Sequence, residues 1–149
     1  MPAPAWWLLC LPFVAGAFLP LQAGINGQLA KQVSSVLAAA LISFGVGTVA
    51  LLALVLLQRE MPGFNALKSL TWWHWCGGLL GAFFITTAAF AGPRIGALLF
   101  MALVLAGQLA MALTLDHFGW AGFREAPASL GKVAGLLLVL AGVWMIRRG

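Results

Sequence analysis

Five long apolar runs, at about 6–29, 35–57, 72–91, 95–115 and 130–146, take up most of the chain, and its charged residues fall between or at the ends of them. An α-helix needs about 20 apolar residues to cross the roughly 30 Å hydrocarbon layer of a bilayer. Backbone groups in lipid have no water to bond, so each run must close its own hydrogen bonds as a helix or join a closed barrel. A barrel is disfavoured, because the chain has no tyrosine and no extended period-2 alternation. Composition agrees: 63% of residues are hydrophobic and 7% charged, against about 25% charged in a soluble domain. The sequence therefore predicts an all-α membrane protein, a single domain of five transmembrane helices over residues 1–149.

The predicted connections read AKQVS, QREMPGFNALKSLT, GPR and DHFGWAGFREAPAS. The fifth run is short, but Lys132 in its first turn and Arg147-Arg148 at its end can snorkel to the two surfaces. TWWHWC reads as an aromatic belt, with His74 an interfacial histidine and not a ligand. The start, MPAPAWWLLCLPFVAG, lacks the basic region of a secretory signal, so the first run is expected to be a retained helix. Cys10 and Cys76 lie in or beside apolar segments and read as free thiols, with neither disulfide nor metal spacing.

The net charge of +5 comes from single basic residues between apolar runs, which excludes a nucleic-acid face. Within the spans there is no Ser/His/Asp, Cys/His, paired-carboxylate or metal constellation, and no GxxxxGK[ST] loop. An enzyme is not expected, and neither is a cofactor.

Five spans put the termini on opposite sides. The N-terminus with the second and fourth connections then carries Arg59, Lys68, Arg124 and Lys132; the opposite side carries Lys31, Arg94, Arg147 and Arg148. Excess Lys/Arg in short loops orients a membrane protein, so this tie predicts insertion in both senses. The alternative is one fixed orientation, reached if Lys31 and Arg94 lie too deep to count. Protomers inserted both ways can pair as an antiparallel dimer, a ten-helix assembly with the inverted symmetry common among transporters.

PLQAGINGQLAK, AALISFGVGT, GGLLGAFF and AGQLAMALTLDHFGW occur in this order along nearly the whole chain. Their elements include Pro20-Leu21-Gln22-Ala23 with Asn26, Ser43-Phe44 with Gly47, Pro93 with Gly96, and Gly107-Gln108 with Asp116-His117. In these features the chain resembles the YdcZ-type family of short bacterial inner-membrane proteins, in the drug/metabolite transporter superfamily. The resemblance implies a five-helix unit similar to half of a ten-helix transporter and related to the four-helix small multidrug resistance proteins. It implies transport without naming a substrate. Those four-helix relatives couple through a carboxylate in the first helix, whereas here Glu60, Asp116 and Glu125 fall at helix ends or in loops. Cation/proton antiport is therefore not carried over.

Gln22 and Asn26 are four residues apart, about one helical turn, and an amide in hydrocarbon must find a partner. Pro20 removes a backbone donor and Gly24 and Gly27 weaken the next turn, so this helix is expected to kink or partly unwind. Two readings stand: a substrate-facing segment, or interhelical hydrogen-bonding glue. Gln108, alone among Leu and Ala, is the fourth helix's candidate for substrate binding, with Ser43, Thr86 and Thr87 as further candidates. Asp116 and His117 are candidates for gating or coupling, or else a capped helix end. Arg94 is a candidate to pair with Asp116 of an antiparallel partner, to attract an anionic substrate, or to anchor the chain at the surface. Gly77/Gly81, Gly92/Gly96 and Gly131/Gly135 have small-xxx-small spacing, which allows close helix contact. Gly135/Gly142 repeat at seven, which resembles the dimerisation pattern of the small multidrug proteins, and that resemblance implies the last helix in the dimer contact.

The function these features predict is a dual-topology transporter of a small molecule, working by alternating access beside an antiparallel copy of itself or a paired homologous subunit. A dual-topology channel, or an accessory subunit without a pathway, is the alternative.

Overall fold

The computed structural model describes residues 6–149, with side chains from Cys10 onward, and these are helical with no strand among them. Five helices are long and apolar enough to cross a membrane, at 19 to 24 residues per span. In chain order the α-helices are α1 (Trp6–Gln32), α2 (Val36–Gln58), the short α3 (Phe64–Lys68), α4 (Cys76–Ile95), α5 (Ala97–Phe118) and α6 (Leu130–Arg148). The chain divides into two compact units, one ending at Arg94 and one spanning Ile95–Gly149.

In the first unit, α1 and α2 form a hairpin whose turn is set by hydrogen bonds. The Ser35 N–H donates to the Ala30 carbonyl (3.1 Å) and the Ser34 N–H to that of Lys31 (3.4 Å), a paired closure of the α1 end with Ser34 left-handed at φ 54°. Ser35 then opens α2, its Oγ accepting from the Ala38 N–H at 3.1 Å. A serine at the left-handed position carries a penalty that glycine avoids. Ser34→Gly is therefore expected to stabilise the fold by about 0.5–1 kcal/mol, seen as a higher unfolding midpoint in detergent; a lower midpoint would contradict the assignment. Arg59 closes α2 the same way at φ 58°.

The buried positions are mostly small: Ala23, Gly27 and Ala30 on α1, Ala39 and Ala40 on α2, Ala88, Ala89 and Gly92 on α4. Small residues let membrane helices approach closely, since lipid offers no hydrophobic drive between them. A Cβ on Gly27 would lie 2.5 Å from Pro93 Cγ and 3.7 Å from the Ala89 carbonyl oxygen. That carbonyl is the one whose helical partner N–H Pro93 lacks. Gly81 receives the Phe44 ring, whose tip lies 3.4 Å from where its Cβ would stand.

Three expected boundaries move. The first helix runs on to Gln32 and does not unwind at Pro20 or Gly24. A single lost donor is a small defect beside the remaining helical bonds, and the cap at Ser34-Ser35 sets the end. The third connection is not Gly92-Pro93-Arg94: α4 continues through them to Ile95, and the break is Gly96 alone, at φ 85°, ψ 151°. The last helix reaches Arg148.

In the second unit, Gly119 ends α5 in the left-handed conformation (φ 62°). The following loop folds back on that end. The Ala126 N–H donates to the Asp116 carbonyl (2.7 Å), the Ala128 N–H to His117 Nδ1 (3.1 Å), and Lys132 Nζ to the carbonyls of Ala126 (2.8 Å) and Pro127 (3.2 Å). Ser129 caps α6 through the Lys132 N–H.

Candidate functional site

On α1 the buried stripe is narrow: Ala23, Asn26, Gly27 and Ala30, spaced by three, four and seven residues. Asn26 is 3% exposed, the one buried polar side chain among the described residues, and its Nδ2 has no hydrogen-bond partner. A buried unpaired donor costs about 1–3 kcal/mol, so this amide carries an unmet hydrogen-bonding demand inside the protomer. Gln22, one turn back, is exposed and lies at the edge of that stripe. Pro20 is half-buried and Gly24 exposed with open space beside it. Ser43 on α2 and Thr86 and Thr87 on α4 are half-buried, the threonines next to the buried Ile85, Ala88 and Ala89.

Arg94, in the last turn of α4, folds back along its own helix. It donates from Nη1 to the Phe90 carbonyl, and its guanidinium lies 3.8 Å from the centre of the Phe90 ring.

In the second unit, Gln108 is exposed near the middle of α5. It lines an apolar cavity of about 250 Å³ with Met111, Leu115, Phe123 and Asp116. Gln108 and Asp116 are eight residues apart, so two helical turns put them on one stripe. This pairing was available from spacing, which alone did not bring Lys132 or Phe123 to the same stripe. The half-buried Asp116 also lines a neighbouring cavity of about 440 Å³ with Lys132 and Gly135. His117 is exposed, holds the loop through Nδ1 and stacks edge-on against Phe118 at 4.6 Å. Gly135 on α6 faces open space; Gly142 is half-buried.

His74 is a cap: its Nδ1 accepts from the Thr71 N–H at 3.1 Å in front of the turn Trp72–Trp75 that leads into α4. Cys10 and Cys76 are free thiols, exposed and half-buried, and no cluster of His, Cys, Asp or Glu suited to a metal occurs among the described residues.

Five apolar spans define a multi-pass, all-helical membrane protein. The chain belongs to the YdcZ family: the family model described as "Putative inner membrane exporter, YdcZ" matches residues 7–145. It is 30% identical over 141 residues to the Inner membrane protein YdcZ of Escherichia coli (strain K12), covering 94% of each chain. No solved structure matches it. The family model's name agrees with the drug/metabolite transporter placement, and the protein is a multi-pass protein of the bacterial inner membrane.

Proposed function

We propose that the protein exports a small molecule by alternating access, as an antiparallel dimer of oppositely inserted copies or with a homologous subunit of opposite orientation. The observation that carries this reading is the exposure of Gln22 and Gln108 within the membrane-spanning parts of α1 and α5, without a hydrogen bond to another described residue. An amide left against hydrocarbon is costly, so such groups face protein or a water-filled cavity. A second protomer supplies that cover. The four-against-four charge balance supports opposite insertion, and Lys31 and Arg94 stand in the last turns of their helices, where basic groups reach the surface. Open space at Gly135 supports α6 as the dimer contact, with Gly142 one seven-residue step along. In this reading the amides Gln22, Asn26 and Gln108 meet the substrate with help from Ser43 and Thr86, while Asp116, His117 and Arg94 gate the exits. The small multidrug type of carboxylate coupling has no part in it.

The test fuses the C-terminus to alkaline phosphatase in one strain and to green fluorescent protein in another. Both are expected to be active. Activity on one side only eliminates the antiparallel homodimer and leaves pairing with an oppositely oriented homologue. Purified protein in vesicles is expected to show saturable flux without single-channel currents; discrete currents would make it a channel.

A further inference from the structure

A cleft of about 430 Å³ opens between the α1–α2 turn and the last turn of α4, and its lining residues include two that are cationic, Lys31 and Arg94, with Ser34 and Ser35. No carboxylate lines it. We infer that this cleft is a binding site for a phosphate-type anion at the membrane surface. The inference does not depend on the transport reading.

Two cations sharing one cleft without a counter-charge repel each other, and an anion between them turns that repulsion into attraction. Each has capacity to spare. Arg94 uses one of its five N–H donors on the Phe90 carbonyl, and the Phe90 ring holds its plane, so the remaining donors keep a defined direction. The Lys31 ammonium has no hydrogen bond or ion pair to any described residue. Ser35 Oγ accepts from the Ala38 N–H, which leaves its own proton to give. The α2 amino end adds partial positive charge of the same sense, with no acidic residue in its first turn to neutralise it. A planar guanidinium and an ammonium from residues of one cleft suit a tetrahedral dianion, the guanidinium binding through two donors and the ammonium acting as a point charge. The volume lies within the roughly 300–1,000 Å³ of small-molecule sites, so a phosphate carrying an organic group fits where a bare halide would be loosely held. Lys31 and Arg94 both stand in the last turns of their helices, where basic side chains of a spanning helix reach headgroups. The phosphate therefore has two possible sources, an anionic lipid headgroup or a soluble phosphate compound.

The experiment uses the purified full-length protein in neutral detergent. One arm follows thermal stability against sodium phosphate, with sodium chloride at equal ionic strength as reference. The other counts lipids retained in native mass spectrometry after addition of phosphatidylglycerol or phosphatidylcholine. Stabilisation by phosphate over chloride assigns a soluble source, and retention of phosphatidylglycerol over phosphatidylcholine a lipid one. Lys31→Gln with Arg94→Gln is expected to weaken whichever probe binds by about tenfold or more, while Lys68→Gln, equal in charge removed per site, leaves it unchanged. Should the double variant misfold, Lys31→Gln alone carries the comparison, since that ammonium has no bond to lose. The site is overturned if neither probe exceeds its control on the unmodified protein, or if Lys68→Gln weakens binding as much. Since none of these readouts depends on orientation in the bilayer, its failure is distinguishable from failure of the antiparallel dimer.

Discussion

Asn26→Ala is expected to weaken binding of a transported solute about ten- to a hundredfold, with an unfolding midpoint unchanged within a few degrees. The two halves of this result come from one fact: Asn26 is 3% exposed and its Nδ2 has no partner within the protomer. Were the amide interhelical glue, truncation would break a hydrogen bond and lower stability. As an unpaired donor it burdens the apo protein, and its removal relieves about 1–3 kcal/mol. The void left among Ala23, Gly27 and Ala30 offsets about 1 kcal/mol or more of that relief. The readout is the thermal shift given by a solute found in a ligand screen, measured on the intact and altered proteins. A large fall in midpoint with solute binding intact would return Asn26 to the role of glue.

Gly96→Val is expected to cost about 3 kcal/mol or more. At φ 85°, ψ 151° Gly96 occupies a region open to glycine and closed to residues with a Cβ. It is also the whole connection between α4 and α5, so no neighbouring loop residue can absorb the strain. Gly119→Ala is the internal comparison. At φ 62°, ψ 31° it lies in the left-handed well that other residues enter for about 1–2 kcal/mol, with Glu125 Cβ 3.3 Å from the new methyl. Denaturant titration in mixed micelles should rank Gly96→Val well below Gly119→Ala; equal or reversed losses would mean that the α4–α5 link relaxes.

The five spans were legible because the bilayer imposes a length, and a run of about 20 apolar residues has few alternatives in lipid. Their ends were less so. Proline and glycine near position 93 read as a break, yet a proline inside a membrane helix is tolerated when a neighbour packs against it, as Gly27 does here. The Ser34-Ser35 boundary had the residue types of a cap, but only backbone geometry shows one serine ending a helix and the next opening another. Within the candidate site, Gln22 and Asn26 have the spacing of a shared face. A stripe only as wide as alanine and glycine buries the second and leaves out the first. Lys31 and Arg94, distant in sequence, share a cleft because α1 packs on α4, and no local pattern encodes that. The partner proposed to cover Gln22 and Gln108 has no signature in either amide, only in the balance of charges at the ends of the spans.

The α1–α2 turn has a local consequence. Ser35 closes one helix with its N–H to Ala30 and starts the next with its Oγ and carbonyl, which accept from Ala38 and Ala39, so the angle between the helices is set at a single residue. One residue is thereby bonded into both helices.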